Sequence, residues 1–484
     1  MDGGDGALEE VVSVITALKW IPRSFCLGQP IVYELSQAER NLLVEKAKIE
    51  DKEVKTNDNI EEEDNEEDIE EEDEDLPLSQ LQDMQLNEDR IEQEINEDAD
   101  SDLGSDAEDH NLKISDKILV TASVEEDQAS LEIHAYDTET GSFYVHHDIA
   151  LPAYPLCIEW LGVQGKQLNW TETESESFVA VGMFSPEIEI WTLDVLDALE
   201  PNCKLVGHSD AVMCLSWNSK HPHLLASGGA DRTIRLWDLQ SSECARVFSD
   251  LHTDKVQSMQ WNPAEATVLL AGSFDHSISV FDARDPLKVA KYFSPGNSDV
   301  ESVCWDFHNP VIFGVSTESG IVSFVDVRAG PSAPPLFSFQ AHEKACSSLC
   351  GNARVPGLYA TCSVDKTVKI WDLQEELAGS SPSSVTNTES AAKPKKKTSS
   401  KKLTLKEKAP LVTKRMKVGK LFAGHFAANV DDESFLDSDP FLIACGGSKG
   451  AVALWHIGGT DDEDDEEIVK KKFDSRVLPL PKNW

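Results

Sequence analysis

Three histidines stand at one fixed distance ahead of three aspartates: His208, His252 and His342 precede Asp231, Asp275 and Asp365 by 23 residues each. An imidazole oriented by a carboxylate is the pairing that draws a proton from a hydroxyl, and Ser227 lies between the first two to supply one. Six residues beyond the aspartates come Trp237, Phe281 and Trp371, each followed by a further aspartate. The other reading is structural. Histidine, aspartate, a strand hydroxyl and an indole N–H can satisfy one another where each would otherwise be buried unpaired. The structural role is the expectation here. No phosphate-cradling glycine loop, metal-spaced cluster or nucleophile elbow accompanies these residues. Carboxylates crowd residues 61–75, but they are consecutive and solvated, whereas acid–base catalysis needs two held apart in a partly dry site. The sequence therefore predicts a non-enzyme without catalytic residue, cofactor or metal.

What must position these residues is a repeat. Trp217, Trp261 and Trp305 fall 44 residues apart, closing the apolar stretches AVMCLSW, KVQSMQW and VESVCW. A fixed period of that size marks stacked supersecondary units. Together with the Gly-His to Trp-Asp pattern it predicts an all-β fold, a seven-bladed WD-repeat β-propeller. Seven strand ends close the blades: Tyr136-Asp137, Trp191-Thr192, Trp237-Asp238, Phe281-Asp282, Val325-Asp326, Trp371-Asp372 and Trp455-His456. Alternating apolar residues lead into them, with the period of two that a strand requires. Blades two, five and seven carry Ser185, Ser319 and Lys449 where blades three, four and six have the turn aspartate.

The first blade needs an innermost strand ahead of KILVTAS (117–123), and VITALKW (14–20) has the right spacing. The propeller is thus expected to use residues 1–35, 113–373 and 416–484. Residues 36–49 read as a short helix, with Ser36 and Glu39 at capping-box spacing. Residues 50–112 read as a disordered acidic insertion in blade one, and 374–415 as a disordered Ser/Lys-rich insertion in blade six. KVGKLF (417–422) is expected to be the outer strand of that sixth blade. Strands in a blade alternate in direction, so first-to-second and third-to-fourth joins open on one face. Both insertions and the acidic run at 461–467 should then leave from the same face.

The formal charge of −45 is unevenly spread: residues 50–112 hold 29 acidic and 3 basic side chains, and 391–420 hold 12 basic and one acidic. The asymmetry describes insertions, not the folded body. The acidic segment reads as a solvated spacer or as a polyanion that attracts basic partners such as histones or ribosomal proteins. The basic stretch, with Lys393, Lys395, Lys396, Lys397, Lys401 and Lys402 followed by Lys414, Arg415 and Lys417, is a candidate nuclear-localisation signal. It could also neutralise RNA phosphates, but no aromatic residue is interleaved to stack bases, so RNA contact is expected to be indirect or non-specific. Ser105, followed by Asp106 and Glu108, is a candidate phosphorylation site. Ten cysteines include no C-x-x-C pair and read as reduced structural thiols. No apolar run reaches a membrane span, and no membrane role is expected.

An opening strand VITALKWIPRS, an acidic insertion before the second strand, evenly spaced tryptophans and an acidic run near the end together resemble the periodic tryptophan protein one family. That resemblance implies a nuclear and nucleolar protein of ribosome biogenesis, acting in pre-ribosomal RNA processing for the large subunit. It also implies association with chromatin at ribosomal RNA genes, including contact with histone H4. The expected function is accordingly a scaffold, monomeric within larger complexes of pre-ribosomal or nucleolar proteins. A histone-binding protein is the first alternative. The second is a ubiquitin-ligase substrate receptor, from Phe281-Asp282-Ala283-Arg284 and Val325-Asp326-Val327-Arg328.

Overall fold

A computed structural model describes residues 13–22, 26, 31–32, 112–113, 115–163, 168, 170, 177–196, 198–378, 405–427, 440–457 and 472–478. The expected helix at 36–49, the acidic tract to residue 111, Ser105, Lys393–Lys402 and the run 461–467 lie outside them. Among the described residues the chain builds a β-propeller of seven blades, six of four strands and a seventh of three.

Blade one takes its innermost strand, Ser13–Ile21, from the start of the chain and pairs it antiparallel with Lys117–Glu125. Blades two to seven follow in order, with innermost strands Pro155–Leu161, Val212–Trp217, Val256–Trp261, Val300–Trp305, Ser348–Gly351 and Leu421–Phe426. The second strands LLASGG, VLLAGS and LIACGG are buried almost end to end, because each lies between two neighbouring sheets. They end in small residues for a spatial reason. A Cβ on Gly228 would stand 2.7 Å from Val256 of the next blade, and one on Gly446 would stand 2.5 Å from Ile15. The second contact seats blade one on blade seven and closes the ring.

Every innermost strand except that of blade six carries a bulge near its start, as between Val212 and Cys214 or Val300 and Ser302. One extra residue there sharpens the local twist of the strand.

Two expectations about blade six are corrected. Its outer strand is Val412–Arg415, not 417–422. Leu421–Phe426 is instead the innermost strand of blade seven, paired with Leu442–Gly447, which is buried on both faces and needs an inner neighbour. The segment expected as insertion is shorter at both ends. Gln374–Ala378 forms a helical turn, and Lys406 bonds through its N–H to the carbonyl of Ser338 at 2.7 Å. Lys414 and Arg415 belong to the strand, with Lys414 5.4 Å from the ring of Trp455, so they are not the tail of a loop signal. In blade seven the described residues after Val452–His456 include the helical turn Asp474–Arg476, and Phe473 is fully buried in the core shared with Trp455.

The chain leaves blade one after Ile21 and returns at Lys117; it leaves the third strand of blade six after Asp372 and returns at Val412. Both departures open on the face where innermost strands end. The opposite face holds the histidines and turn aspartates.

Candidate functional site

The repeated histidines form closed networks. In blade three His208 Nδ1–H donates to Asp231 Oδ2 at 2.9 Å, so Nε2 accepts from the hydroxyl of Ser227 at 2.7 Å. Ser227 Oγ in turn accepts the indole N–H of Trp237 at 2.8 Å. Blade six repeats this with His342, Asp365 and Trp371, and Thr361 supplies the hydroxyl, 2.7 Å from His342 and 2.9 Å from Trp371. Thr361 was missed in the sequence, although it precedes Trp371 by the ten residues that separate Ser227 from Trp237. Blade four has Ala271 at that place. Its hydroxyl moves across the strand pair to Ser279, 2.7 Å from His252, whose Nδ1 meets Asp275 at 3.2 Å.

Burial pushes the Asp231 and Asp275 carboxyls up, but hydrogen bonds from the histidines and from Thr233 or Ser277 more than offset it and hold both below the usual carboxylate range. Every hydrogen-bonding edge of His208 is occupied and its side chain is wholly buried. The imidazole is sealed from solvent with both ring nitrogens engaged.

Blades lacking the aspartate substitute other partners. In blade two Trp191 donates to Glu189 at 3.2 Å, and Glu189, itself buried, pairs with Lys204 at 2.9 Å. In blade five Thr317 Oγ1 closes the turn by accepting the N–H of Ile321 at 3.2 Å. In blade seven the position ten before Trp455 is Cys445, and the buried Trp455 indole nitrogen has no hydrogen-bond partner among the described residues.

The evenly spaced tryptophans have a different task. Trp305 donates its indole N–H to the carbonyl of Gln260 at 3.2 Å and its backbone N–H to the Gln260 side chain at 2.6 Å. Trp261 does the same to Ser216, at 3.0 and 3.2 Å. Trp20 reaches from blade one to the carbonyl of His425 in blade seven at 3.1 Å. Each tryptophan thus binds the residue just ahead of the aromatic that ends the previous innermost strand. The repeat is a blade-to-blade stitch.

Trp217 departs from it. Its backbone N–H still meets Glu159 at 3.4 Å, but its indole turns to the carbonyl of Pro222 in its own blade at 2.9 Å. The ring comes to rest half-buried, edge-on to Trp160 with centroids 5.4 Å apart. Both rings close over Gly162, where a Cβ would stand 2.6 Å from Trp160 and 2.9 Å from Trp217. They wall one side of an axial cavity of about 460 Å³ bordered by all seven innermost strands and open on the face from which the chain makes its two excursions. Glu159 stands beside the pair, with one carboxylate oxygen 2.6 Å from Lys19 Nζ. His425, on the opposite wall, keeps a buried Nδ1 that has no hydrogen-bond partner among the described residues; burial, then Lys19, push its pKa down to about 3. This mouth was not foreseen, because nothing in the repeat marks Trp217 as the tryptophan that turns away.

The cysteines expected in strands, Cys157, Cys214, Cys304, Cys362 and Cys445, all lie in strands, and all ten in the chain are free thiols. Burial pushes Cys214 and Cys304 up to about 12. Among the described residues no cluster could hold a metal ion, and no helix is long and apolar enough to cross a membrane. Arg284 and Arg328, the arginines of the receptor-like element, are folded back on Asp282 and Asp326 at 2.7 and 2.6 Å.

The WD domain, G-beta repeat model matches residues 199–238, 242–282 and 333–372. Those stretches end on the third strands of blades three, four and six, the blades with a complete His–Asp pair. Fold and repeat define the class: this is a WD-repeat β-propeller protein. Within that class it is similar to periodic tryptophan protein 1, at 30% identity to the Drosophila melanogaster homolog over 56% of this chain and 27% to the Saccharomyces cerevisiae protein over 53%. An uncharacterized WD repeat-containing protein of Schizosaccharomyces pombe is 37% identical over 75% of this chain. The matches cover 64%, 61% and 54% of the fission yeast, fly and budding yeast proteins, so the chain spans less than two thirds of these curated relatives.

Proposed function

We propose that this chain is a non-enzymatic scaffold of ribosome biogenesis in the nucleus and nucleolus, serving pre-ribosomal RNA processing and large-subunit assembly. One observation carries the non-catalytic part: the three constellations that could do chemistry are closed hydrogen-bond circuits, and each buried imidazole spends its Nδ1–H on an aspartate. What remains is a rigid ring with a tryptophan-walled mouth, and stacked repeats of this kind present wide surfaces to partners. The likeness to periodic tryptophan protein 1 supports the ribosomal setting.

The basic stretch Lys393–Lys402 acts as the import signal in this reading, and Ser105 as a phosphorylation site. Pre-ribosomal and nucleolar proteins are the partners, with RNA reached only indirectly. The test is recovery of partners by the tagged full-length chain from nuclear extract, with and without ribonuclease. Large-subunit assembly factors retained after ribonuclease support the scaffold, and their absence overturns it. A histone-binding role is the second reading, favoured by the 29 acidic side chains of residues 50–112. It predicts that histone H4 binding is lost when those residues are deleted; retention refutes it.

A further inference from the structure

We infer that the axial mouth is a docking site for an arginine side chain carried on a basic segment of a partner protein. The inference rests on the scaffold reading and names where one partner enters. Trp160 and Trp217 present half-buried rings to a cavity of about 460 Å³, room for one or two side chains rather than for a folded element. Trp217 could have been stitched into the ring as Trp261 and Trp305 are; instead its indole N–H is satisfied by Pro222, and its face is left to the opening.

The second element is Glu159. One of its oxygens is fixed by Lys19 at 2.6 Å, while among the described residues the other holds only the long 3.4 Å contact with the N–H of Trp217. A carboxylate with one oxygen anchored and one under-used is positioned to accept two N–H groups. A guanidinium fits this combination better than an ammonium. It is flat, weakly hydrated and stacks on aromatic faces, whereas lysine carries a strongly hydrated point charge. Lys19 and Lys220 line the rim as well; the Lys19–Glu159 pair is neutral as a unit, and the chain as a whole carries −45, which draws basic segments toward it.

The probe is a fluorescein-labelled nonapeptide with two arginines among lysines and glycines, compared with the same peptide bearing citrulline in their place. Anisotropy with the full-length protein at physiological salt should show the arginine form binding about tenfold tighter, the effect of a single stacked and charge-assisted contact. Trp217→Ala should bring the arginine peptide down to the citrulline level, Trp217→Phe should keep it within about threefold, and Glu159→Gln should remove most of the preference. The phenylalanine variant guards against misfolding, since it lacks the Pro222 hydrogen bond yet keeps the aromatic face. Equal binding of both peptides, or no effect of Trp217→Ala, overturns the inference. So does Trp217-dependent binding of a uridine dodecamer without arginine preference, which would make the mouth a nucleobase site. Arginine-selective binding alongside a pull-down devoid of assembly factors would sink the ribosomal reading and leave the site. Unselective binding with those factors recovered would do the reverse.

Discussion

Ser227→Ala removes one oxygen from the centre of blade three, and its cost follows from the geometry. Ser227 is fully buried, accepting from Trp237 at 2.8 Å and donating to His208 at 2.7 Å. Deleting it strands an indole donor and an imidazole acceptor, and a buried polar group left unpaired costs about 1–3 kcal/mol. Two such groups, partly relieved by local adjustment, give an expected loss of about 2–4 kcal/mol. Blades of a repeat array need not unfold in one step, so a single melting temperature is a poor measure. Amide hydrogen exchange read blade by blade is the better assay. A loss of about 2 kcal/mol speeds exchange through opening by about 30-fold, and the effect should centre on Leu224–Gly229 and Ile234–Asp238. Ser227→Thr should be nearly silent, because blade six performs the same task with Thr361. Exchange in the alanine variant within threefold of wild type would show that the Ser227 oxygen does not hold the blade together.

The same logic run backwards predicts a gain in blade seven. Cys445→Ser offers a hydroxyl to the Trp455 indole, which has no partner among the described residues, and should raise the urea midpoint by about 1 kcal/mol equivalent; a fall would show that the thiol's packing matters more. Acidification should weaken the ring. His425 has a folded pKa near 3, below the unfolded value of about 6.5, so its contribution is complete above pH 6.5 and is lost as the pH falls toward 3. Asp231, Asp275 and Asp365 sit below their ordinary values, so what they add is complete above about pH 4 and lost beneath it. His425→Asn should flatten the limb between pH 6.5 and 4. Reading the difference between variant and wild type separates the imidazole from relief of carboxylate repulsion, and identical profiles would contradict the assignment. Cys214 and Cys304, pushed up to about 12 by burial, should resist iodoacetamide at pH 8 in native buffer and react in urea; native labelling would refute their burial.

The blade count was readable because each blade writes its own punctuation, with a small-residue turn, an alternating strand and an aromatic at its end. The distant pairing of Ser13–Ile21 with Lys117–Glu125 was readable for the same reason, since Ile15 to Trp20 repeats the spacing of Val212 to Trp217. Blade six misled because KVGKLF is apolar and strand-like, while the true outer strand VTKR has two cations and little alternation. What decided the matter was a neighbour: the buried strand Leu442–Gly447 requires Leu421–Phe426 on its inner side. The stitch was invisible for a related cause. Tryptophan spacing shows on one line of sequence, but its acceptors Ser216, Gln260 and His425 sit in the blade before. Ser279 is a case within one blade: it becomes the partner of His252 only once Ala271 is seen opposite it on the paired strand. Positions fixed by a single chain segment were legible, and those fixed by a neighbouring strand or blade were not.

The most direct test of the scaffold reading is lysine cross-linking with mass spectrometry on the full-length protein purified in its native assemblies. Lys19, Lys220 and Lys288 lie on the face of the mouth and the chain excursions, whereas Lys255 and Lys344 lie on the face of the histidine–aspartate turns. Cross-links to large-subunit assembly proteins should concentrate on the first three lysines. Cross-links confined to Lys255 and Lys344, or none to pre-ribosomal proteins at all, would contradict that reading.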